Sequence, residues 1–227
     1  MKARAARTRD ADLTRETLIS AATTLFARHG FDGVTVEAIA REAGVNKAMI
    51  NYYFGGKAGL YEAILTTTFA EITERVETVR NSARPPDEAL REFMGLFAEI
   101  ATVRRPSFPA LFLREAIEGG TRARAVIVPY LRSVLSAVAE VIARGVRQGS
   151  FRPVDPLLTH LTIVGTLMFF FATAPLREQV VARARLPFAP PTPQAFVAHL
   201  QELIARGLAA TEGRGRRKLR ARRTGRS

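Results

Sequence analysis

The chain is 227 residues long and 47% hydrophobic, enough for one large domain or for a small domain joined to a larger one. Having no cysteine, it has no disulfide framework, thiolate metal site or cysteine nucleophile. Its formal charge of +13 sits at the ends: residues 1–9 hold four bases (Lys2, Arg4, Arg7, Arg9), residues 213–227 hold eight, and the other 22 bases face 21 acids, so the basic pI says little about the folded body.

The residues up to Asp12 lack apolar periodicity and the hydrophobic core of a secretory signal, which predicts a mobile basic arm on a soluble, cytoplasmic protein. The first helix is predicted over 14–29, where Leu18, Ala21, Ala22, Leu25 and Phe26 form one stripe and Gly30 stops it. After the turn at Phe31, Asp32 and Gly33, Thr35 stands as an N-cap before Val36, Ile39, Ala40 and Ala43, the spacing of one buried helix face. Gly44 ends that helix, Val45 is an apolar anchor, and Asn46 caps the next. A helix-turn-helix needs a small residue at the crossing, a glycine four residues on and apolar plugs on both sides. Ala40, Gly44, Ile39, Ala43, Val45 and Ile50 meet those needs. With Ile50 and Tyr53 inward, the outward residues are Asn46, Lys47, Ala48, Asn51 and Tyr52. They span ~10 Å of helix, short enough for a major groove about 12 Å wide.

This stretch, TVEAIAREAGVNKAMINYYFGGKAGLY, resembles the DNA-binding motif of the TetR/AcrR family of bacterial transcriptional regulators, and the match runs over about residues 14–65. It departs from the family's common residues at Asn51, where Tyr is frequent, and at Tyr53, where His is frequent. The resemblance implies an all-α protein of about nine helices, a three-helix head on a larger helical body. It also implies a homodimer that binds a palindromic operator as a repressor and is released by a small apolar or amphipathic effector. Thr35 and Lys57 join the outward residues as implied DNA contacts, Lys57 meeting a phosphate at the start of the fourth helix. The segment GGKAG is no phosphate-cradling loop, because Asn51 and Ala58 stand where that motif needs Gly and Ser or Thr.

The fourth helix, about 60–80, carries Tyr61, Ile64, Leu65, Phe69, Ile72, Val76 and Val79, and at ~30 Å it can act as a lever between head and body. Arg84-Pro85-Pro86 ends it, and Asp87 is expected to cap a helix with Leu90, Phe93, Met94, Phe97 and Ile100 as its stripe. A short helix follows over 106–119, with Leu111, Phe112 and Ile117, then a longer one over 122–148 that kinks at Pro129 or starts near Val128. Asp155-Pro156 opens the eighth helix, 156–173, the most apolar stretch of the chain. Its four threonines, His160 and the lack of a second span argue against a membrane. A helix apolar nearly all round needs cover on two sides, so 156–173 and the ninth helix, 194–210, are expected to pair with their copies in a four-helix bundle. Pro187 to Pro193 reads as a linker or lid.

The domain reading is thus 1–56 for the head, 57–212 for the regulatory body and 213–227 for a disordered basic tail. His29, His160 and His199 are dispersed and none has a partner in a known motif, so no enzyme, cofactor or metal is expected. In family members of this kind the body holds an apolar pocket, for which Phe93, Phe97, Phe112, Tyr130, Met168 and Phe169 are the candidates. The rival readings are a non-specific architectural DNA-binding protein working through its tails, and a membrane-surface protein.

Overall fold

The computed structural model describes residues 2–184 and 189–210; the basic tail and part of the proline-rich linker fall outside them. Ten α-helices appear in the described residues. They are α1 (Lys2–His29), α2 (Val36–Ala43), α3 (Ala48–Phe54), α4 (Lys57–Arg80), α5 (Pro86–Glu99), α6 (Phe108–Ile117), α7 (Arg124–Arg147), α8 (Pro156–Ala172), α9 (Ala174–Ala184) and α10 (Pro193–Leu208). A π-helical turn, Ile100–Arg104, extends α5.

Two differences from the sequence reading lengthen the helical inventory. The N-terminal arm is helical from Lys2. No Gly or Pro interrupts residues 1–29, and the Ala- and Arg-rich start has high intrinsic helix propensity. The second addition is α9, which leaves α8 at 59° and has no buried residue. Its Ala, Arg, Glu and Gln content suffices for a helix, but without a stripe it gives no periodic signal.

The head closes around Leu18, Phe26, Ile39, Ile50 and Leu60, all at 0% exposure. Burial of each such side chain is worth about 1.5–3 kcal/mol. In the body, α4 packs along α7, and α5, α6, α8 and α10 complete the layers around one continuous core. Pro129 lies within α7, which continues through it. By length and composition α7 could cross a membrane; here it packs against α4, α5 and α8. At the start of α5, Pro85 takes the cap position and Pro86 the first turn, so Asp87 is not the cap; with Glu88 it still places negative charge at the positive end of the helix. Ile117 is 86% exposed, contrary to its place in the expected stripe, since α6 turns only its Phe108–Leu111 edge and Glu115 to the core.

Head and body meet through α1 and α6 as well as through α4. The π-helical turn brings Arg104 to Glu71, while Arg105 reaches Glu16 of α1 at 3.2 Å. The loop joining α7 to α8 is tied to the end of α10 by Arg152 N–H to Leu208 O at 2.9 Å and Ala210 N–H to Ser150 O at 3.1 Å. That tie fixes α8 and α10 side by side.

Candidate nucleic-acid interface

Both caps of α2 form as its residues require. Thr35 Oγ1 accepts from Ala38 N–H at 3.1 Å, and Gly44 takes φ 67°, closing the turn with Val45 N–H to Ala40 O at 3.0 Å. Asn46 then caps the outgoing helix: its Oδ1 accepts from Ala48 N–H at 2.8 Å and its carbonyl from Met49 N–H at 2.9 Å. With Ile50 buried beneath, α3 is held at a fixed rotation about its own axis.

The consequence is one exposed row. Thr35, Asn46, Lys47, Ala48, Asn51 and Tyr52 are all exposed, Tyr52 at 77%, whereas Tyr53 and Phe54 are half-buried. Tyr52 and Tyr53 meet edge to face at 5.0 Å, and Arg15 of α1 lies over the Phe54 ring at 5.4 Å, so both flanks of the row are braced. Lys47 Nζ pairs with Glu37 Oε1 at 3.2 Å on the open surface. Backbone hydrogen bonding and then the Lys47 ammonium hold the Glu37 carboxyl below its ordinary range. An exposed pair of this kind is weak and exchangeable.

Lys57 departs from the expected outward contact. Its ammonium donates to Phe31 O at 3.1 Å and Val34 O at 3.0 Å and sits 4.3 Å from the Phe31 ring centroid. A cation at a helix N-terminus is disfavoured by the dipole, and the half-buried side chain instead binds the carbonyls of the turn before α2.

Phe31 also anchors a set of contacts that the sequence reading missed. Arg122 comes within 5.1 Å of that ring, pairs with Asp32 Oδ2 at 2.8 Å and also pairs with Glu118. Its backbone N–H donates to Glu115 Oε1 at 3.1 Å, and Tyr61 O–H donates to Glu115 Oε2 at 2.7 Å. Glu115 is completely buried, so one carboxylate joins α4, α6 and the turn that leads into α7. No spacing in the chain could reveal it, since Tyr61 and Glu115 are 54 positions apart.

Among the described residues, the two cavities that touch the six expected pocket residues each touch only one of them. Phe112 and Tyr130 pack with Phe69 at 5.7 and 5.5 Å between ring centroids; Phe97 and Met168 are core. Phe93 borders a void of ≈ 10 Å³ between α4, α5 and α7, and Phe169 is 65% exposed. Aromatic periodicity marks a buried face, and these faces fill one another.

With this geometry in place, comparison with known proteins identifies the lineage. Residues 18–64 match the family of "bacterial regulatory proteins, tetR family", and residues 86–186 match the "Tetracyclin repressor-like, C-terminal domain". The chain is 30% identical over 170 residues to the HTH-type transcriptional repressor NicS of Pseudomonas putida, covering 73% of this chain and 78% of that protein. It belongs to the TetR family. The fold agrees: the ketosteroid transcriptional regulator KstR2 of Mycobacterium tuberculosis superposes with a TM-score of 0.69 at 21% identity, over 87% of this chain and 95% of that one. AibR, solved with isovaleryl coenzyme A and operator DNA, superposes with a TM-score of 0.63 at 20% identity, over 84% and 98%. As a TetR-family member the protein is a DNA-binding transcriptional regulator with a helix-turn-helix head.

Proposed function

We propose that the protein is a cytoplasmic, homodimeric repressor that binds a near-palindromic operator and is released by a small apolar or amphipathic molecule. The observation that carries this reading is the braced outward row on α3. Lys47 and Tyr52 are assigned to phosphates, and Asn46, Ala48 and Asn51 to base edges. Asn46 spends its Oδ1 on the cap, so its amide N–H₂ is the group left for a base or phosphate. Thr35 likewise keeps its O–H for a phosphate, while Lys57 acts through the turn it holds.

A second copy is supported by the outward side of α8 and α10. Leu157, Leu158, Leu161 and Leu203 are 48 to 64% exposed, and Gly165 and Gly207 face open space where a Cβ would meet nothing. Two-fold pairing there covers the stripe and sets two heads about 34 Å apart, one turn of DNA. A relative solved on operator DNA with a coenzyme A thioester supports the same use of the fold.

Lys47→Ala is expected to weaken binding to every DNA sequence and to lower the slope of log affinity against log salt by about 1. Salt titrations on an operator recovered by selection from random DNA, and on unrelated duplex, measure both. Unchanged affinity and slope, or a monomer in sedimentation at micromolar concentration, would overturn the assignment.

A further inference from the structure

Between Thr35 and Lys57 the chain holds two acids, Glu37 and Glu42, and Glu37 stands in the first turn of α2, two residues past the Thr35 cap. Its carboxylate is bonded to the outward row. Other acids of the head pair with arginines of the body, Asp32 with Arg122 and Glu16 with Arg105. Glu37 Oε1 instead meets Lys47 Nζ at 3.2 Å, with both side chains well exposed.

A carboxylate in that place has the donors that a phosphate seeks. The first turn of a helix is the positive end of its dipole, and an ammonium beside it completes an anion site. Backbone hydrogen bonding in that turn and the Lys47 ammonium both favour the charged form of Glu37. In the chain without DNA, Glu37 therefore neutralises the very cation assigned to a phosphate. An exposed pair shifts an equilibrium by no more than about fivefold, so a duplex can displace it. The displaced carboxylate then faces the phosphates, and that repulsion adds to the cost.

We propose that Glu37 is an internal competitor for the phosphate that Lys47 takes, and so limits how tightly the head holds any duplex. The proposal rests on the assignment of Lys47 to a phosphate. It acts alike on operator and on unrelated DNA, because neither side chain of the pair reads a base.

The test is a fluorescence anisotropy titration of the full chain on the selected operator and on unrelated duplex, across salt, with wild type, Glu37→Gln, Lys47→Ala and the double variant. Glu37→Gln is expected to tighten binding to both duplexes by about two- to fivefold at low salt. It should also steepen the salt slope by up to about 1, since the docking face gains a unit of positive charge. With Ala at position 47, the gain from Glu37→Gln should fall to half or less, because no cation remains to be competed for. Melting curves establish that all four proteins are equally folded at the assay temperature. Unchanged or weaker binding by Glu37→Gln overturns the proposal, the weaker case making Glu37 a brace that positions Lys47. An equal gain in both backgrounds also overturns it, since repulsion through space then suffices. If Lys47→Ala leaves affinity and slope unchanged, the phosphate assignment fails and takes the proposal with it; if Lys47→Ala weakens binding and Glu37→Gln changes nothing, the competitor alone fails.

Discussion

Gly59→Ala is expected to abolish high-affinity operator binding while the body stays folded. Gly59 lies in the first turn of α4, and a Cβ there would stand 1.8 Å from the Phe54 carbonyl oxygen, the last residue of α3. An alanine has no rotamer to escape by, so α3 must move away from α4. Such overpacking costs about 3 kcal/mol, and if the shift falls on the recognition helix, operator affinity drops on the order of 100-fold. Operator titration together with far-ultraviolet circular dichroism measures the effect. Near-wild-type affinity would show that α3 is not seated on α4 as described.

The second large effect concerns Glu115. Glu115→Leu leaves the buried Tyr61 hydroxyl and the Arg122 N–H without an acceptor, and a drop in stability of about 2–3 kcal/mol is expected. Tyr61→Phe deprives the carboxylate of one donor, and the double variant should be less damaged than the sum of the two, because each change leaves the other's partner orphaned. Burial, followed by the hydrogen bond to Glu115, raises the Tyr61 phenol above its ordinary value. The folded chain therefore keeps this proton where the unfolded chain loses it. The Tyr61 contribution is fully present below pH about 10 and is lost as pH rises above it; Tyr61→Phe removes that part of the alkaline fall. Urea midpoints for the four proteins at pH 8 and above test both statements. Strict additivity, or the same alkaline dependence in Tyr61→Phe, would contradict the network.

What the sequence disclosed was whatever local chemistry determines. Thr35, Gly44 and Asn46 each carry a backbone task that only a few residue types perform, so the turn and both caps could be read directly, and Asp155-Pro156 opened α8 in the same way. What stayed hidden depends on distant partners or on the lack of any. Lys57 turned inward because two carbonyls from another part of the chain lay within reach. Glu115 drew no notice in the sequence because Tyr61 and the Arg122 backbone, which bind its buried carboxylate, stand elsewhere in the chain. The aromatic candidates obeyed a helical period that a filled core and a pocket share, and Phe169 alone reached open space. With no stripe of its own, α9 offered no pattern.

The most direct test of whether α3 reads sequence is a repeated selection from random duplex DNA, run in parallel with the wild type and Asn51→Ala. The wild type should yield an inverted repeat, and the variant should yield the same repeat with base preference relaxed at one symmetric pair of positions, a loss of about 1–3 kcal/mol in discrimination there. An identical motif from both proteins, or no enriched motif from either, would contradict the placement of α3 against the bases.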